Sequence, residues 1–82
     1  MQTIRIADVS GCNLTDVGID NLCWFINLTK LKISNTNITD EQLLKIPRRL
    51  FKLKKLKTKF CSNLSMVLIR NIHNLKEFKR IT

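Results

Sequence analysis

The eleven residues 28–38, Leu-Thr-Lys-Leu-Lys-Ile-Ser-Asn-Thr-Asn-Ile, constrain this chain more than any other stretch, because their spacing recurs. Leu28, Leu31, Ile33 and Ile38 stand at positions 1, 4, 6 and 11, with the small polar Thr36 at position 9. Ile4, Ala7, Val9, Cys12 and Leu14 fill the same template. So do Leu53, Leu56, Thr58 and Cys61, although Leu64 follows one residue late. A fourth copy opens with Leu75 and Phe78, so the starts near 4, 28, 53 and 75 are separated by 24, 25 and 22 residues. A period of this size predicts stacked supersecondary units, each too small to bury its apolar face alone.

Within each unit the pattern changes from strand to helix. Ile4 to Ser10 reads as a short strand, with Ile4, Ala7 and Val9 inward, and Gly11-Cys12-Asn13-Leu14 turns the chain. Thr15 caps a helix on which Ile19, Leu22 and Phe25 or Ile26 recur at helical spacing. Trp24 lies off that stripe and has two possible roles, packing against the next unit or serving as an exposed anchor for a partner. In the second unit Thr39-Asp40-Glu41-Gln42 is a capping-box signature, with two acids at the helix start. Pro47 disfavours helical geometry at Ile46, which predicts a break or a fresh turn there. Leu64, Leu68 and Ile72 mark a third helical face.

Alternate residues of a strand project to opposite sides. Positions 3, 5 and 7 therefore face away from the inward leucines. They are Ile6, Asp8 and Ser10, then Lys30, Lys32 and Ser34, then Lys55, Lys57 and Lys59, with Lys79 at position 5 of the fourth copy. Stacking sets Lys30 beside Lys55 and Lys32 beside Lys57, a like-charge pairing that destabilises a sheet. Two explanations compete. Lysines keep open strand edges soluble, or the lysines with Phe60 form a recognition surface for an acidic protein segment or for phosphates.

Charge is divided unevenly along the chain. Residues 1–41 hold three basic and five acidic side chains, net −2, while residues 42–82 hold twelve basic ones and Glu77 alone, net +11; together they make the +9 of the whole. Such asymmetry implies an acidic partner for the second half. Its densest run, residues 45–59, carries eight basic side chains and no acid, among them Lys45, Arg48, Arg49, Lys52 and Lys54. Read without the repeat, this run is a basic amphipathic segment suited to nucleic acid, RNA included, or to another polyanionic surface such as a membrane. Read with it, the run crosses from a helix into the third strand, and the Leu53, Leu56, Thr58 register favours that reading.

Other features narrow the classes. Eighty-two residues make one domain, a short chain with a modest core. No apolar run approaches the roughly 18 residues of a membrane span, and the amino terminus lacks the pattern of a secretory signal. The expectation is an intracellular protein, cytoplasmic or mitochondrial and not secreted, or else one piece of a longer chain. Three cysteines at unpaired spacings predict free thiols: Cys12 and Cys61 are two units apart, roughly 10 Å at strand spacing and beyond the ~7 Å limit for a disulfide. Cys23 and the single histidine, His73, form no metal-ligand spacing. Four N-x-[ST] sequons, beginning at Asn13, Asn27, Asn37 and Asn63, follow from a repeat that favours asparagine before its leucine and a hydroxyl cap after it. No convergent acid, base or nucleophile is present and no glycine-rich phosphate loop, so neither catalysis nor a cofactor is expected.

Cys12-Asn13-Leu14-Thr15-Asp16-Val17-Gly18-Ile19 and Thr36-Asn37-Ile38-Thr39-Asp40-Glu41-Gln42-Leu43 resemble the C-x-[LI]-T-D-x-G-[LI] element of the cysteine-containing leucine-rich repeats. That class occurs in the substrate-binding parts of F-box proteins, in bacterial and protist repeat proteins and in the mitochondrial coupling factor B group. The resemblance spans nearly the whole chain and departs from the pattern at Thr58 and Leu64. It implies an α/β solenoid of about three and a half repeats, with short parallel strands on the concave side and helices on the convex side. Position 9 then lies inside the turn, where it satisfies backbone groups. Lys30, Lys32, Lys55, Lys57, Lys59 and Phe60 become the concave partner-binding face of a non-catalytic scaffold, a subunit of a larger complex. No polar cap closes either end, so the ends are expected to dock against further repeats or another protein.

Overall fold

The computed structural model describes residues 3–71. Three short strands, β1 (Ile6–Asp8), β2 (Lys30–Lys32) and β3 (Lys55–Lys57), alternate with three helices, α1 (Asp16–Leu22), α2 (Asp40–Arg49) and α3 (Met66–Asn71). The strands form one parallel sheet in the order β1-β2-β3. The result is a small mixed α/β fold with an open sheet. The fourth sequence copy, with Leu75, Phe78 and Lys79, lies outside the described residues, as does His73.

The register is the one the spacing predicts: Ala7 pairs with Leu31 and Leu31 with Leu56. These inward residues meet helix residues in a single core. Leu28, Leu31, Ile33, Ile38, Leu43, Ile46, Leu50 and Leu53 are all fully buried, joined by Ile19, Leu22, Leu64 and Leu68. Because strand and helix residues share that core, the helices cover one side of the sheet.

Each helix begins on a hydroxyl. Thr15 Oγ1 accepts from the Gly18 amide at 3.0 Å, Thr39 Oγ1 from Gln42 at 3.3 Å, and Ser65 Oγ from Leu68 at 3.1 Å. The Thr39–Gln42 box is closed, since the Thr39 amide donates to Gln42 Oε1 at 3.1 Å. Two orphan amides at the α2 start are thereby satisfied.

Four expectations fail, each for a local reason. Helix α2 runs unbroken from Asp40 to Arg49 with Pro47 inside it. The proline ring is fully buried, and the Leu50 amide bonds the Ile46 carbonyl at 2.8 Å across it, so core packing offsets the one bond the proline cannot donate. Helix α1 stops at Leu22, short of the expected stripe, and of its two alternative last members Phe25 packs against the core while Ile26 is exposed. Ile4 is also exposed, although Leu53 at the same position of the equally terminal third unit is buried; what β1 lacks among the described residues is a preceding unit, not merely a second neighbour. Cys12, expected inside its turn, is exposed for the same reason, whereas Thr36 and Cys61 at the equivalent position are buried.

The buried pair shows what that position does. Thr36 Oγ1 donates to the Ile33 carbonyl at 2.8 Å, and Cys61 Sγ donates to the same carbonyl at 3.1 Å from the next unit. Sulfur and hydroxyl lie 3.6 Å apart. A small polar atom is needed here because the turn leaves a buried carbonyl without a backbone partner. All three cysteines are free thiols, and burial raises the pKa of Cys23.

Candidate functional site

Alternation along the strands places three rows on the side of the sheet away from the helices. The first is Ile6, Lys30, Lys55 and the second Asp8, Lys32, Lys57, both in the observed register. Ser10, Ser34 and Lys59 continue the pattern as a third, and the Lys59 amide donates to Ser34 Oγ at 3.2 Å. Five lysines thus share one face with one carboxylate. Lys30 and Lys32 are half-buried among their neighbours, while Lys55, Lys57 and Lys59 are exposed.

The electrostatics of this face follow from its rows. Asp8 accepts from the Ser10 amide at 3.0 Å, and that bond, helped by the Ser10 hydroxyl and Lys32, holds its carboxyl below the usual range. Lys32 Nζ lies 3.9 Å from Asp8, a solvent-exposed pair of small worth. Lys57 has no such relief. Lys30 first, then Lys32, desolvation, Lys59 and Lys55 lower its pKa. Positive charge therefore increases across the sheet, from one carboxylate on β1, through two lysines on β2, to Lys55, Lys57 and the adjoining Lys59.

The basic run 45–59 does not form one surface. Lys45, Arg48 and Arg49 sit on α2, on the helical side of the molecule, and are exposed. Arg49 Nη1 donates to Asp20 Oδ1 at 3.0 Å, and Lys52 Nζ donates to Asn27 Oδ1 at 2.8 Å. These two tie the second unit to the first. Lys54 is exposed just before β3, and its amide bonds the Thr29 carbonyl at 2.8 Å. Lys55, Lys57 and Lys59 then stand on the other side of the sheet.

Trp24, for which packing against the next unit was one expectation, is 70% exposed. The chain turns immediately after α1, where the Trp24 amide bonds the Asn21 carbonyl and Ile26 bonds Trp24, so Cys23 turns inward and the indole outward. Phe51 is likewise exposed.

Sequence reasoning placed Phe60 on the lysine face but missed its backbone. Phe60 has φ 61, in the left-handed region, as do Asn35 at φ 55 and Gly11 at φ 82. Each lies three residues beyond the end of its strand. The signal was available, since glycine and asparagine at template position 8 of two copies are the residues that favour this conformation.

No helix among the described residues is long and apolar enough to cross a membrane, and none of their His, Cys, Asp or Glu side chains cluster in threes. Compared with known proteins, the chain matches no family model, no curated protein and no solved structure.

Proposed function

We propose that this chain is a non-catalytic interaction module of the leucine-rich-repeat kind, whose open sheet face binds an acidic segment of a protein partner. In this reading the three β-α units are windings of a solenoid, the lysine face is its concave side, and the module is a subunit of a larger assembly docked through its ends. One observation carries it: Lys30, Lys32, Lys55 and Lys57 are held in direct cross-strand register, where like charges repel. Solubility alone needs charge on the surface, not four lysines facing one another. An acidic partner would convert that repulsion into attraction and speed association.

Binding of nucleic acid through residues 45–59 is the second reading. It loses support because Arg49 and Lys52 are engaged within the protein and the run is split between two sides.

Fluorescence anisotropy of a labelled glutamate-rich peptide, titrated with the full chain at low and physiological ionic strength, tests the proposal. The double variant Lys32→Ser, Lys57→Ser is expected to bind about tenfold more weakly, the loss of two exposed ion pairs. Unchanged affinity in the double variant overturns the reading.

A further inference from the structure

The turn after each strand requires one residue in left-handed backbone, and the three occupants differ: Gly11, Asn35 and Phe60. Glycine bears no Cβ, and asparagine tolerates the region; for a bulky aromatic residue a positive φ is a strained outlier. The fold gains nothing from the ring in return. Phe60 is 84% exposed, more than any other large apolar side chain among the described residues. It is therefore doubly unfavourable for the folded chain, strained in its backbone and unburied in its side chain, at a position where a sister unit carries asparagine. Strain of this kind collects where a protein contacts a ligand.

Its surroundings say what that contact is. Phe60 follows Lys59 and borders an open groove lined by residues Leu56 to Ser62, among them Lys57 and Lys59. Two basic side chains thus line the same groove as an apolar ring, at the most positive end of the sheet face. We propose that Phe60 is the apolar anchor of this face and that its partner is an acidic peptide segment with a bulky apolar side chain beside its carboxylates. The apolar side chain packs on the Phe60 ring, and the carboxylates meet Lys57 and Lys59. This rests on the reading of the sheet face as a surface for an acidic protein segment, and it adds the apolar requirement. Aromatic residues, phenylalanine among them, are enriched at the cores of protein interfaces. Single-stranded nucleic acid is less suited, because stacking platforms use successive rings and the rows of this face offer no second one.

The test uses the full chain, two labelled glutamate-rich peptides differing by one Leu or Ala at the centre, and polyuridylate as competitor. Wild type is expected to bind the Leu peptide about tenfold more tightly than the Ala peptide. In Phe60→Asn that preference disappears, while Tm rises by about 5 °C as the strained residue is replaced by one suited to the turn. Phe60→Gly serves as a second variant with the same expectation. Equal binding of both peptides by wild type overturns the proposal, as does a preference that survives in either variant or displacement of the Leu peptide by polyuridylate at lower concentration than by unlabelled peptide. The double variant Lys32→Ser, Lys57→Ser separates this proposal from its premise. If both peptides bind it as they bind wild type, or wild type binds neither, the acidic-partner reading falls and takes the anchor with it. If binding weakens there but the Leu preference is untouched in Phe60→Asn, the anchor alone falls.

Discussion

Lys57 shows how a single side chain records its neighbours. Its lowered pKa means that the unfolded chain binds more protons than the folded one in the interval below the ordinary lysine value of 10.5. Stability therefore rises with pH through that interval, and the protonated Lys57 is a burden throughout the range below it. Lys57→Ser is expected to melt above wild type at neutral pH and low salt. The advantage should shrink as pH climbs toward 10.5 or as salt is added. Melting curves of the two proteins across that range check this, and a difference independent of pH and salt would refute it. Comparison with the variant also removes the effect of Cys23, whose raised pKa makes its ionisation destabilising at alkaline pH in both proteins. What each residue contributes here was partly readable: position 5 of the second and third copies gave the Lys32–Lys57 pairing directly, because a parallel register follows from a nearly constant period.

At the level of elements, α2 joins local and tertiary demands in one side chain. Gln42 Oε1 accepts from the Thr39 amide to close the capping box, while Gln42 Nε2 donates to Asp16 Oδ1 at 2.8 Å, joining α2 to the start of α1. The residue is buried, and both its ends are used. Gln42→Glu would keep the acceptor and lose the donor, setting a second carboxylate against Asp16. A destabilisation of about 1–3 kcal/mol at neutral pH is expected, relieved as pH falls and the carboxyls protonate. Urea unfolding at pH 7 and pH 4 measures it; an equal loss at both values would show that the Asp16 contact is unimportant. The box was evident from Thr39-Asp40-Glu41-Gln42, since capping is a matter of four consecutive residues. The second role of Gln42 was not, because Asp16 is 26 residues away. Three of the four sequons acquire a structural reason at this level: Thr15, Thr39 and Ser65 are helix caps, and the asparagines of two of them bond the preceding unit.

Across the molecule, side-chain hydrogen bonds join each unit to the next. Asn37 receives the Leu14 amide and donates to the Leu14 carbonyl at 3.0 Å; Asn63 donates to the Asn37 carbonyl at 3.1 Å. Asp20 and Asn27 in the first unit accept from Arg49 and Lys52 in the second, and Asp40 accepts from the Ser65 amide in the third. Asp16, Asp20 and Asp40 thus each serve as acceptors for the unit that follows, and Asp20 with Arg49 is the pair that joins the two oppositely charged halves through an acid and a base. So small a chain has little stability to lose. Leu31 lies at the centre of the sheet and is fully buried, so Leu31→Ala is expected to cost about 2–5 kcal/mol. Loss of the cooperative transition in circular dichroism at 25 °C would be the consequence. Retention of near-native stability would mean that the central strand does not organise the core.

The period, the strand register, the hydroxyl caps and the lysine rows were determined by sequence alone, because each is set by residues close together in the chain or repeated at fixed intervals. The tertiary structure decided which copies of one template are covered. Cys12 and Ile4 share their template positions with buried residues yet are exposed, since among the described residues no unit precedes theirs, whereas Cys61 at the equally terminal third unit is buried against the Ile33 carbonyl of the unit before it. Pro47 stays helical because the core packs on its ring, and Trp24 turns outward because α1 ends two residues before it. Phe60 belongs to both accounts: its column of glycine and asparagine signals a left-handed turn, but only the folded chain shows an aromatic ring held there against its backbone preference and left facing solvent.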